Sequence, residues 1–288
     1  MGDRRVPRTW FITGASRGLG RAFTDAVLAA GHTVVATARQ PEGLRADLAS
    51  FGERAVVLYL DVRDRSAAFA AVAAAIDAVG PLDVVVNNAG YGVTGAVEEI
   101  TEAQARDQFE TNFFGALWVT QAALPHMRER RTGHILQISS LAGLVTVPNL
   151  GMYSASKWAL EAASEALASE VSSFGVKVIL IEPGGFRTGW RASGTKATPS
   201  PVYDDTVVAQ FRRSHAAVDE GQEPGDPVKA ARVLLDLVEL EAPPLRVLLG
   251  NMAFDMAMRF YDERLAEWWA WEDTTRSVDF EPVSCDRP

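Results

Sequence analysis

The chain has 288 residues, of which 48% are hydrophobic and 23% are charged, and 28 basic against 37 acidic side chains give a net charge of −9. This balance is typical of a globular protein and unlike the polar, highly charged composition of chains that form no core. The acidic excess argues against a nucleic-acid partner, because binding to a phosphate backbone depends on clustered Lys and Arg. We therefore expect no nucleic-acid partner.

Metal sites and membrane spans are also not expected. Cys285 is the only cysteine, so neither an internal disulfide nor a cysteine metal site can form. His32, His126, His134 and His215 show neither HxxxH nor HExxH spacing. No run of about 18 apolar residues lacks a charge or a Gly or Pro break, and the N-terminal apolar stretch is short. We therefore expect a cytoplasmic protein with no metal and no membrane partner.

Short β-branched runs alternate with longer helix-compatible segments from the N-terminus to residue 185. This alternation predicts crossover helices and a mainly parallel sheet. Segments such as Ser66–Val79 and Glu102–Arg130 are long enough to return antiparallel to the strands. The predicted strands are Thr9–Thr13, Thr33–Thr37, Ala55–Leu60, Leu82–Val86, His134–Ser139 and Val176–Ile181, with a seventh candidate at Leu245–Leu249.

Two segments lie outside this alternation. Residues 186–225 are rich in Pro, Gly, Ser and Thr and predict a substrate-binding loop or lid, since loops of that length in a compact domain are commonly functional or disordered. Residues 252–273 predict an amphipathic C-terminal helix whose aromatic face packs on the body, with a dimer contact as the alternative. That face consists of Phe254, Met258, Tyr261, Leu265 and Trp268. Since Trp268, Trp269 and Trp271 cannot share one side, at least one indole lies in an interface or at a pocket mouth.

The first strand is followed by TGASRGLG, Thr13 to Gly20, and then by the helix-compatible run RAFTDAVLAAG. Glycines at 14, 18 and 20 allow a tight turn, close approach of the backbone to a pyrophosphate, and close packing of helix on sheet. The helix N-terminus adds free N–H donors and the positive end of a dipole. The strand, turn and helix order favours a dinucleotide site over a purely structural turn.

The end of the second strand indicates which dinucleotide is bound. An acidic residue at this point accepts a hydrogen bond from the ribose 2′-OH of NAD, but this chain has Ala38 and Arg39. Arg39 and Arg17 can pair with a 2′-phosphate, a geometry that suits guanidinium, the alternative being that they are solvated surface charges. We predict NADP(H) in preference to NAD(H).

A second group of polar residues follows the fifth strand. Tyr153 and Lys157 are four residues apart where the downstream part, Ala155–Glu170, is helical, so both lie on one face. A nearby ammonium favours phenolate and brings the pKa of tyrosine closer to neutral. Ser140 ends the strand at the ligand edge of the sheet, where its hydroxyl can hold a substrate oxygen against Tyr153. A YxxxK spacing alone also occurs by chance, but its order after a dinucleotide turn favours catalysis.

Together these motifs resemble the short-chain dehydrogenase/reductase family, in the branch with TGxxxGxG and YxxxK, over about residues 8 to 190. The resemblance implies a single-domain doubly wound α/β Rossmann fold over residues 1–288, with about seven strands. It implies that Asp61 and Val62 hold the adenine and that NNAG, Asn87 to Gly90, supports sheet and cofactor. The implied cofactor-binding residues are Gly14, Ser16, Arg17, Gly18, Leu19, Gly20, Arg39, Asp61, Val62, Asn88, Ala89, Gly90, Tyr153, Lys157, Pro183, Gly184 and Thr188.

The resemblance also implies a catalytic tetrad of Asn112, Ser140, Tyr153 and Lys157. A hydride passes between nicotinamide and a carbonyl carbon while Tyr153 protonates the oxygen. Lys157 binds the nicotinamide ribose and lowers the pKa of Tyr153, Ser140 orients the carbonyl, and Asn112 holds a water that links Lys157 to solvent. The predicted protein is an NADP(H)-dependent carbonyl reductase or secondary-alcohol dehydrogenase.

The predicted substrate is a mostly apolar ketone or alcohol beneath the 186–225 segment. The apolar walls of this site are predicted to be Trp190, Tyr203 and Phe211, with Val145, Leu150 and Met152, and ordinary hydrophobic packing is the alternative for each.

A non-catalytic NADP(H)-sensing or scaffold protein is an alternative function, but such a protein is expected to lose part of the tetrad. A further alternative function is epimerisation or dehydration through transient oxidation, which the TGxxxGxG turn and the chain length of 288 residues disfavour. Family members usually pair long helices across a dyad, so we expect a homodimer or homotetramer.

Overall fold

The computed structural model describes residues 6–216 and 221–280 of the chain. Its central sheet has seven strands in the order β3-β2-β1-β4-β6-β7-β9, and every neighbouring pair is parallel. Two short strands, β5 and β8, pair apart from this sheet. The strands are β1 Thr9–Ile12, β2 Thr33–Ala38, β3 Ala55–Tyr59, β4 Val84–Asn87, β5 Val93–Thr94, β6 Gly133–Ile138, β7 Val176–Pro183, β8 Thr195–Lys196 and β9 Arg246–Leu249. The predicted doubly wound α/β Rossmann fold is confirmed.

Helices cover both faces of the sheet. They are α1 Gly18–Ala29, α2 Pro41–Leu48, α3 Arg65–Val79, α4 Glu102–Phe109, α5 Gly115–Arg130, α6 Gly151–Val171, α7 Trp190–Ser193, α8 Val207–Ala216, α9 Pro227–Leu237, α10 Asn251–Ala270 and α11 Glu272–Arg276. Because successive strand residues point to opposite faces, Trp10 and Ile12 pack in the layer of α1, α2 and α9, whereas Phe11 packs in the layer of α3 and α5. Burial on both sides explains the unbroken β-branched runs of the strands.

The helix predicted over Glu102–Arg130 is interrupted by a π-helical turn at Glu110–Phe114. Thr101 begins α4 with a capping box, since its Oγ1 accepts from Gln104 N at 3.2 Å while Gln104 Oε1 accepts from Thr101 N at 3.0 Å. The π turn contains Asn112, which is buried, and such turns are common at functional sites. Periodic spacing alone does not show an inserted residue of this kind.

The 186–225 segment contains helices α7 and α8 and a 3₁₀ turn at Pro201–Tyr203, with residues 217–220 outside the described part. Strand β8 of this segment pairs with β5, the strand that follows the NNAG loop. Arg212 on α8 forms an ion pair with Glu99 and donates from Nε to Asn149 Oδ1 at 3.0 Å. These contacts tie the segment to the body, and its role as a lid stays a prediction.

The predicted orientation of the C-terminal helix is wrong in this structure. Ala253 and Ala257 are buried against Leu141, Leu144 and Val145, with Met256 and Phe260 beside them. The predicted contact face is instead exposed: Phe254, Met258, Tyr261, Leu265 and Trp268 have relative accessibilities from 36% to 61%, and Trp269 and Trp271 are more than 60% exposed. The face of α10 that carries Ala253 and Ala257 packs on the body because small side chains allow the helix to approach closely. The alternative of a dimer contact stays a prediction.

Membrane-spanning helices and metal sites can be examined only in the part of the chain that the structure describes. Within residues 6–216 and 221–280, no helix is long and apolar enough to cross a bilayer. The same ranges contain no group of three or more His, Cys, Asp or Glu side chains arranged to hold a metal. Cys285, the basis of the disulfide argument, lies outside the described residues.

Candidate active site

A cavity of about 660 Å³ opens at the carboxyl ends of the strands. It lies where the chain order reverses between β1 and β4, the place at which doubly wound sheets bind ligands. Sixteen of the seventeen implied cofactor residues line it, Gly20 being the exception: Gly14, Ser16, Arg17, Gly18, Leu19, Arg39, Asp61, Val62, Asn88, Ala89, Gly90, Tyr153, Lys157, Pro183, Gly184 and Thr188. Ser140 also lines the cavity, whereas Asn112 lies behind its wall.

The glycine turn is held against the NNAG loop. Thr13 Oγ1 accepts from the backbone N–H groups of Asn88 and Ala89 at 2.9 and 3.0 Å, and Asn88 Nδ2 donates to Thr13 O at 2.8 Å. A Cβ on Gly20 would lie 2.3 Å from Asn88 Nδ2 and 2.4 Å from Gly14 O. Gly20 is therefore needed for the packing of this turn rather than for contact with a ligand.

The first turn of α1 fits the pyrophosphate of a dinucleotide. Its N-cap residue, Arg17, is extended and makes no side-chain capping hydrogen bond, and the first turn contains no acidic residue. Gly14 and Gly18 adopt positive φ angles of 64° and 60°, which L side chains rarely tolerate. The free N–H groups and the positive dipole end face the cavity, where they suit a negatively charged group.

Three arginines line the adenosine end of the cavity. Arg17 and Arg39 are exposed, and neither forms a hydrogen bond or ion pair with another side chain in the described ranges. The third, Arg63, was not predicted; its Nη2 lies 2.6 Å from Asp61 Oδ2. The hydrogen bond from Arg63 lowers the pKa of Asp61, so this predicted adenine contact is an ion-paired carboxylate. The sequence could have indicated this ion pair, because Arg63 stands two residues after Asp61.

Ser140 and Tyr153 meet at the centre of the cavity. Ser140 follows β6 and caps the 3₁₀ turn Leu141–Gly143, with its Oγ accepting from Ala142 N at 3.1 Å. Its side chain also hydrogen-bonds the Tyr153 hydroxyl. The Tyr153 ring lies 5.0 Å from the Trp190 ring, measured between centroids, and is only 6% exposed. The two hydroxyls can therefore face one substrate oxygen.

The predicted shift of the Tyr153 pKa towards neutral is wrong in this structure. Burial raises the pKa of Tyr153 to about 12, against an opposing effect of the Ser140 hydrogen bond. Burial also lowers the pKa of Lys157 to about 8, and its Nζ donates to Ile138 O at 2.8 Å. Desolvation disfavours the charged form of each group and is the largest cause of both shifts. The phenol thus holds its proton throughout the neutral range.

Asn112 is anchored by the π turn beside Lys157. Its Nδ2 donates to Tyr91 O at 2.9 Å and to Ser156 Oγ at 3.1 Å, while its Oδ1 accepts from Tyr91 N at 3.1 Å. A Cβ on Gly90 would lie 3.1 Å from Asn112 Oδ1 and 3.6 Å from Lys157 Nζ. The bare backbone at Gly90 therefore separates the two polar groups. The predicted water link stays a prediction.

The other half of the cavity is mostly apolar. Trp190, Phe211, Val145 and Leu150 line it as predicted. Tyr203 and Met152 do not line it, so these two predictions are wrong; the Tyr203 hydroxyl instead bonds Glu98, which raises the pKa of that tyrosine. Further lining residues that the sequence reasoning missed are Tyr91, Val147, His215, Met252 and Met256. Helical spacing was the available signal for His215, one turn after Phe211, and for the two methionines on α10.

Comparison with known proteins agrees with this fold and site. The profile of the short chain dehydrogenase family matches residues 8–198. The crystal structure of a short-chain dehydrogenase from Streptomyces avermitilis superposes with a TM-score of 0.86 at 39% identity, covering 94% of this chain and 100% of that one. The oxidoreductase BOA17 of Botryotinia fuckeliana is 42% identical, with 88% of this chain and 92% of the relative covered. The NADPH-dependent 3-dehydrocapnine reductase of Ornithobacterium rhinotracheale is 33% identical, with 89% and 93% covered.

The chain therefore belongs to the short chain dehydrogenase family and is an oxidoreductase of that family. A nicotinamide dinucleotide is the cofactor that this family implies. The uncapped first turn of α1, the glycine turn and the polar groups of Tyr153 and Lys157 fit such a group along one side of the cavity.

Proposed function

We propose that this protein is an NADP(H)-dependent reductase of mostly apolar ketones or aldehydes, also able to oxidise the corresponding alcohols. The observation that carries the proposal is the hydrogen-bonded pair of Ser140 and Tyr153 at the junction between the dinucleotide side and the apolar side of the cavity. Because the pKa of Tyr153 is about 12, the phenol is poised as a proton donor, the form that carbonyl reduction requires.

The chemistry divides between cofactor and protein. A bound nicotinamide supplies or accepts the hydride. Ser140 and Tyr153 hold the carbonyl oxygen of the substrate, and Tyr153 gives it a proton as negative charge develops there. Lys157, when protonated, places a positive charge near Tyr153 and stabilises the phenolate that remains. In oxidation the same proton returns to Tyr153 from the alcohol.

The arginines at the adenosine end support a preference for NADP(H). Arg17 and Arg39 both line the cavity and make no hydrogen bond or ion pair with a carboxylate in the described ranges, Arg39 acting on Asp61 only at longer range, so both guanidinium groups are available to a 2′-phosphate. A 33% identical relative is described as NADPH-dependent, which supports the same cofactor here.

We keep the cytoplasm as the expected compartment and a homodimer or homotetramer as the expected assembly. The second expectation is supported by a groove of about 260 Å³ between α5 and α6, lined by Phe113, Leu117, Leu124, Ala163 and Leu167 among others. Apolar side chains on two long neighbouring helices suit a packed symmetric interface.

The activity is tested by following NADPH oxidation with a panel of apolar ketones, aldehydes and quinones, for the wild type and for Tyr153→Phe. We expect turnover by the wild type and a loss of about 10³-fold in the variant, since it lacks the proton that stabilises the developing alkoxide. NADPH affinity, measured by tryptophan fluorescence, is expected to stay within about threefold. Equal turnover by the two proteins would contradict the role of Tyr153. Tight NADPH binding without any turnover would favour the sensor or scaffold alternative.

The cofactor preference is tested with Arg39→Asp. We expect NADPH to bind about 10- to 100-fold more weakly, because a charge-assisted contact worth about 1.5–3 kcal/mol is lost and a repulsive charge gained, with NADH affinity nearly unchanged. Arg106→Asp is the control, since Arg106 is an exposed arginine on α4 paired with Glu102 outside the cavity. Equal losses for NADPH and NADH would overturn the preference.

A further inference from the structure

Two buried carboxyl groups share one arginine behind the Ser140 and Tyr153 wall. Glu161 on α6 and Glu182 on β7 have side chains that are 6% and 1% exposed. Arg246 on β9 places its Nε 3.2 Å from Glu161 Oε2 and 3.5 Å from Glu182 Oε1. Its Nη2 lies 2.8 Å from Glu165 Oε2, and Glu165 is 60% exposed. One guanidinium therefore serves two buried carboxyl groups and one solvated carboxylate.

This cluster adjoins the catalytic residues. Glu161 follows Lys157 by one turn of α6, so the two side chains lie on the same helix face. A Cβ on Gly143 would lie 2.7 Å from Ser139 Oγ and 3.0 Å from Glu161 Cγ. Gly143 belongs to the 3₁₀ turn that Ser140 caps. Glu161 thus packs directly against the back of the turn that positions Ser140.

The surroundings of the carboxyl oxygens indicate how many protons Glu161 and Glu182 hold. Glu161 Oε1 and Glu182 Oε1 are both buried and neither makes a close hydrogen bond within the described ranges, the nearest donors being the Ser139 hydroxyl at Glu161 and Arg246 Nε at 3.5 Å from Glu182 Oε1. An ionised carboxylate only accepts hydrogen bonds, so two ionised groups here would repel each other and leave both oxygens unsatisfied. One proton between them removes the repulsion and satisfies both atoms. Burial and the neighbouring Glu161 raise the pKa of Glu182 to about 8, which makes Glu182 the proton carrier.

Glu161 then carries the charge of the pair. The other charged side chains that face the pair are Lys157 and Glu165 from α6 and Arg246 from β9, while Ser139 at the end of β6 adds a hydroxyl. Burial lowers the pKa of Lys157 from 10.5 to about 8, and Glu161 acts in the opposite direction. Without a negative charge at Glu161, the buried ammonium of Lys157 would lose its proton at a lower pH.

We propose that Glu161 and Glu182 form a proton-sharing carboxyl pair that keeps Lys157 charged in the pH range where Tyr153 donates its proton. Both are positioning residues that act through Lys157 and touch no substrate. Glu161 carries the negative charge of the pair. Glu182 carries the shared proton, which removes the repulsion between the two buried carboxyl groups, and Arg246 holds both groups in place. The role rests on the proposed function, because it acts on a residue assigned to that reaction.

The first test compares the pH dependence of kcat/KM for the wild type, Glu161→Gln, Glu182→Gln and Glu165→Gln. In the wild type we expect kcat/KM to fall near pH 8, because Lys157 loses its proton there. We expect Glu161→Gln to move this fall to lower pH by about one unit, because a neighbouring negative charge is removed. Glu182→Gln replaces a group that is mostly neutral below pH 8, so the fall is expected to move less than in Glu161→Gln.

Glu165→Gln is the matched control, because it removes an exposed carboxylate from the same arginine and is expected to leave the profile unchanged. Glu161→Asp, which keeps the charge, is expected to restore the wild-type profile. Coincident profiles for the wild type and Glu161→Gln would overturn the proposal. If the wild type reduces no carbonyl compound at all, the proposed function fails instead.

The second test needs neither cofactor nor activity. A carboxyl group whose pKa rises from 4.5 in the unfolded chain to about 8 in the folded protein stabilises the fold fully below pH 4.5 and loses that contribution as the pH rises to 8. The Tm of Glu182→Gln relative to the wild type is therefore expected to increase steadily between pH 5 and 8, as wild-type stability falls. Glu165→Gln is expected to show a constant difference. A constant difference for Glu182→Gln as well would show that no proton is held there.

Discussion

The two halves of the cavity are built differently. The dinucleotide half comes from loops at the ends of adjacent strands, where Thr13 and Asn88 join two loops through several backbone hydrogen bonds and Gly20 leaves no room for a Cβ. Besides Val145, Val147 and Leu150, the apolar half comes from the 186–216 region and the start of α10. It is attached by the short β5 and β8 pairing and by Arg212, which reaches Glu99 and Asn149.

This difference shows which part of the cavity is fixed by the sheet and which part is not. The glycine turn and the NNAG loop are placed by the hydrogen bonds of Thr13 and Asn88, which also hold the ends of two strands together. The apolar half is lined in part by larger side chains on helices outside the sheet, which can change without disturbing the sheet. We expect substitutions in the packed glycine turn to damage folding and NADPH binding together, and those in the second half to change substrate binding without changing NADPH binding.

The largest effect is expected from Gly20→Ala. A Cβ would lie 2.4 Å from Gly14 O, which is backbone and cannot move freely, so we expect a stability loss of about 2–3 kcal/mol and at least about 100-fold weaker NADPH binding. Gly43→Ala on α2 is the control, since nothing lies within 4 Å of its added Cβ and alanine favours helix by up to about 1 kcal/mol. Urea unfolding and fluorescence titration measure both effects. Unimpaired NADPH binding by Gly20→Ala would disprove the tight packing of the turn.

An intermediate effect is expected from Arg212→Ala. Glu99 keeps its hydrogen bonds from Ala96 N and Ser200 N, so losing the guanidinium is expected to cost about 1–2 kcal/mol. Because α8 carries Phe211 and His215, the KM for the carbonyl substrate is expected to rise about tenfold while the Kd for NADPH stays the same.

Steady-state kinetics and NADPH titration separate these two quantities. Arg106→Ala, which breaks only an exposed pair with Glu102, is the control and is expected to change neither. A parallel loss of NADPH affinity in Arg212→Ala would mean that the two halves of the cavity are not independent.

The smallest effect is expected from the double variant Trp268→Ser and Trp269→Ser. These side chains are 61% and 67% exposed, so the free energy of unfolding of the dilute protein is expected to change by less than about 0.5 kcal/mol. Sedimentation at higher concentration shows whether self-association also weakens, as a dimer contact requires. A stability loss above about 2 kcal/mol in dilute protein would instead support packing of this face on the body.

Much of the fold was predictable because its signals are local. All seven strands of the main sheet were predicted within two residues at either end, since strands covered on both faces are mostly apolar and β-branched. The glycine turn, Ser140, Tyr153 and Lys157 also gave a clear signal, because positive φ angles and one-turn helical spacing depend on neighbours in sequence.

The errors concern contacts between distant segments. Helical spacing identified an apolar stripe on α10, but the chain buried the adjacent alanines against residues 141–145 instead. The pairing of Glu161 with Arg246 joins residues 85 positions apart and leaves no periodic trace. Burial reversed the expected shift in the pKa of Tyr153, because desolvation depends on what covers a group rather than on which residue lies four positions away.

The sequence by itself determined the positions of the strands along the chain, the dinucleotide turn and the candidate residues of the reaction, since each depends on residue type and spacing along the chain. Only the tertiary structure decided which face of α10 meets the body, which side chains close the apolar half of the cavity, and how Glu161, Glu182 and Arg246 share charge behind Lys157. These properties depend on how closely distant segments approach and how completely they exclude water, and both are set by packing in three dimensions.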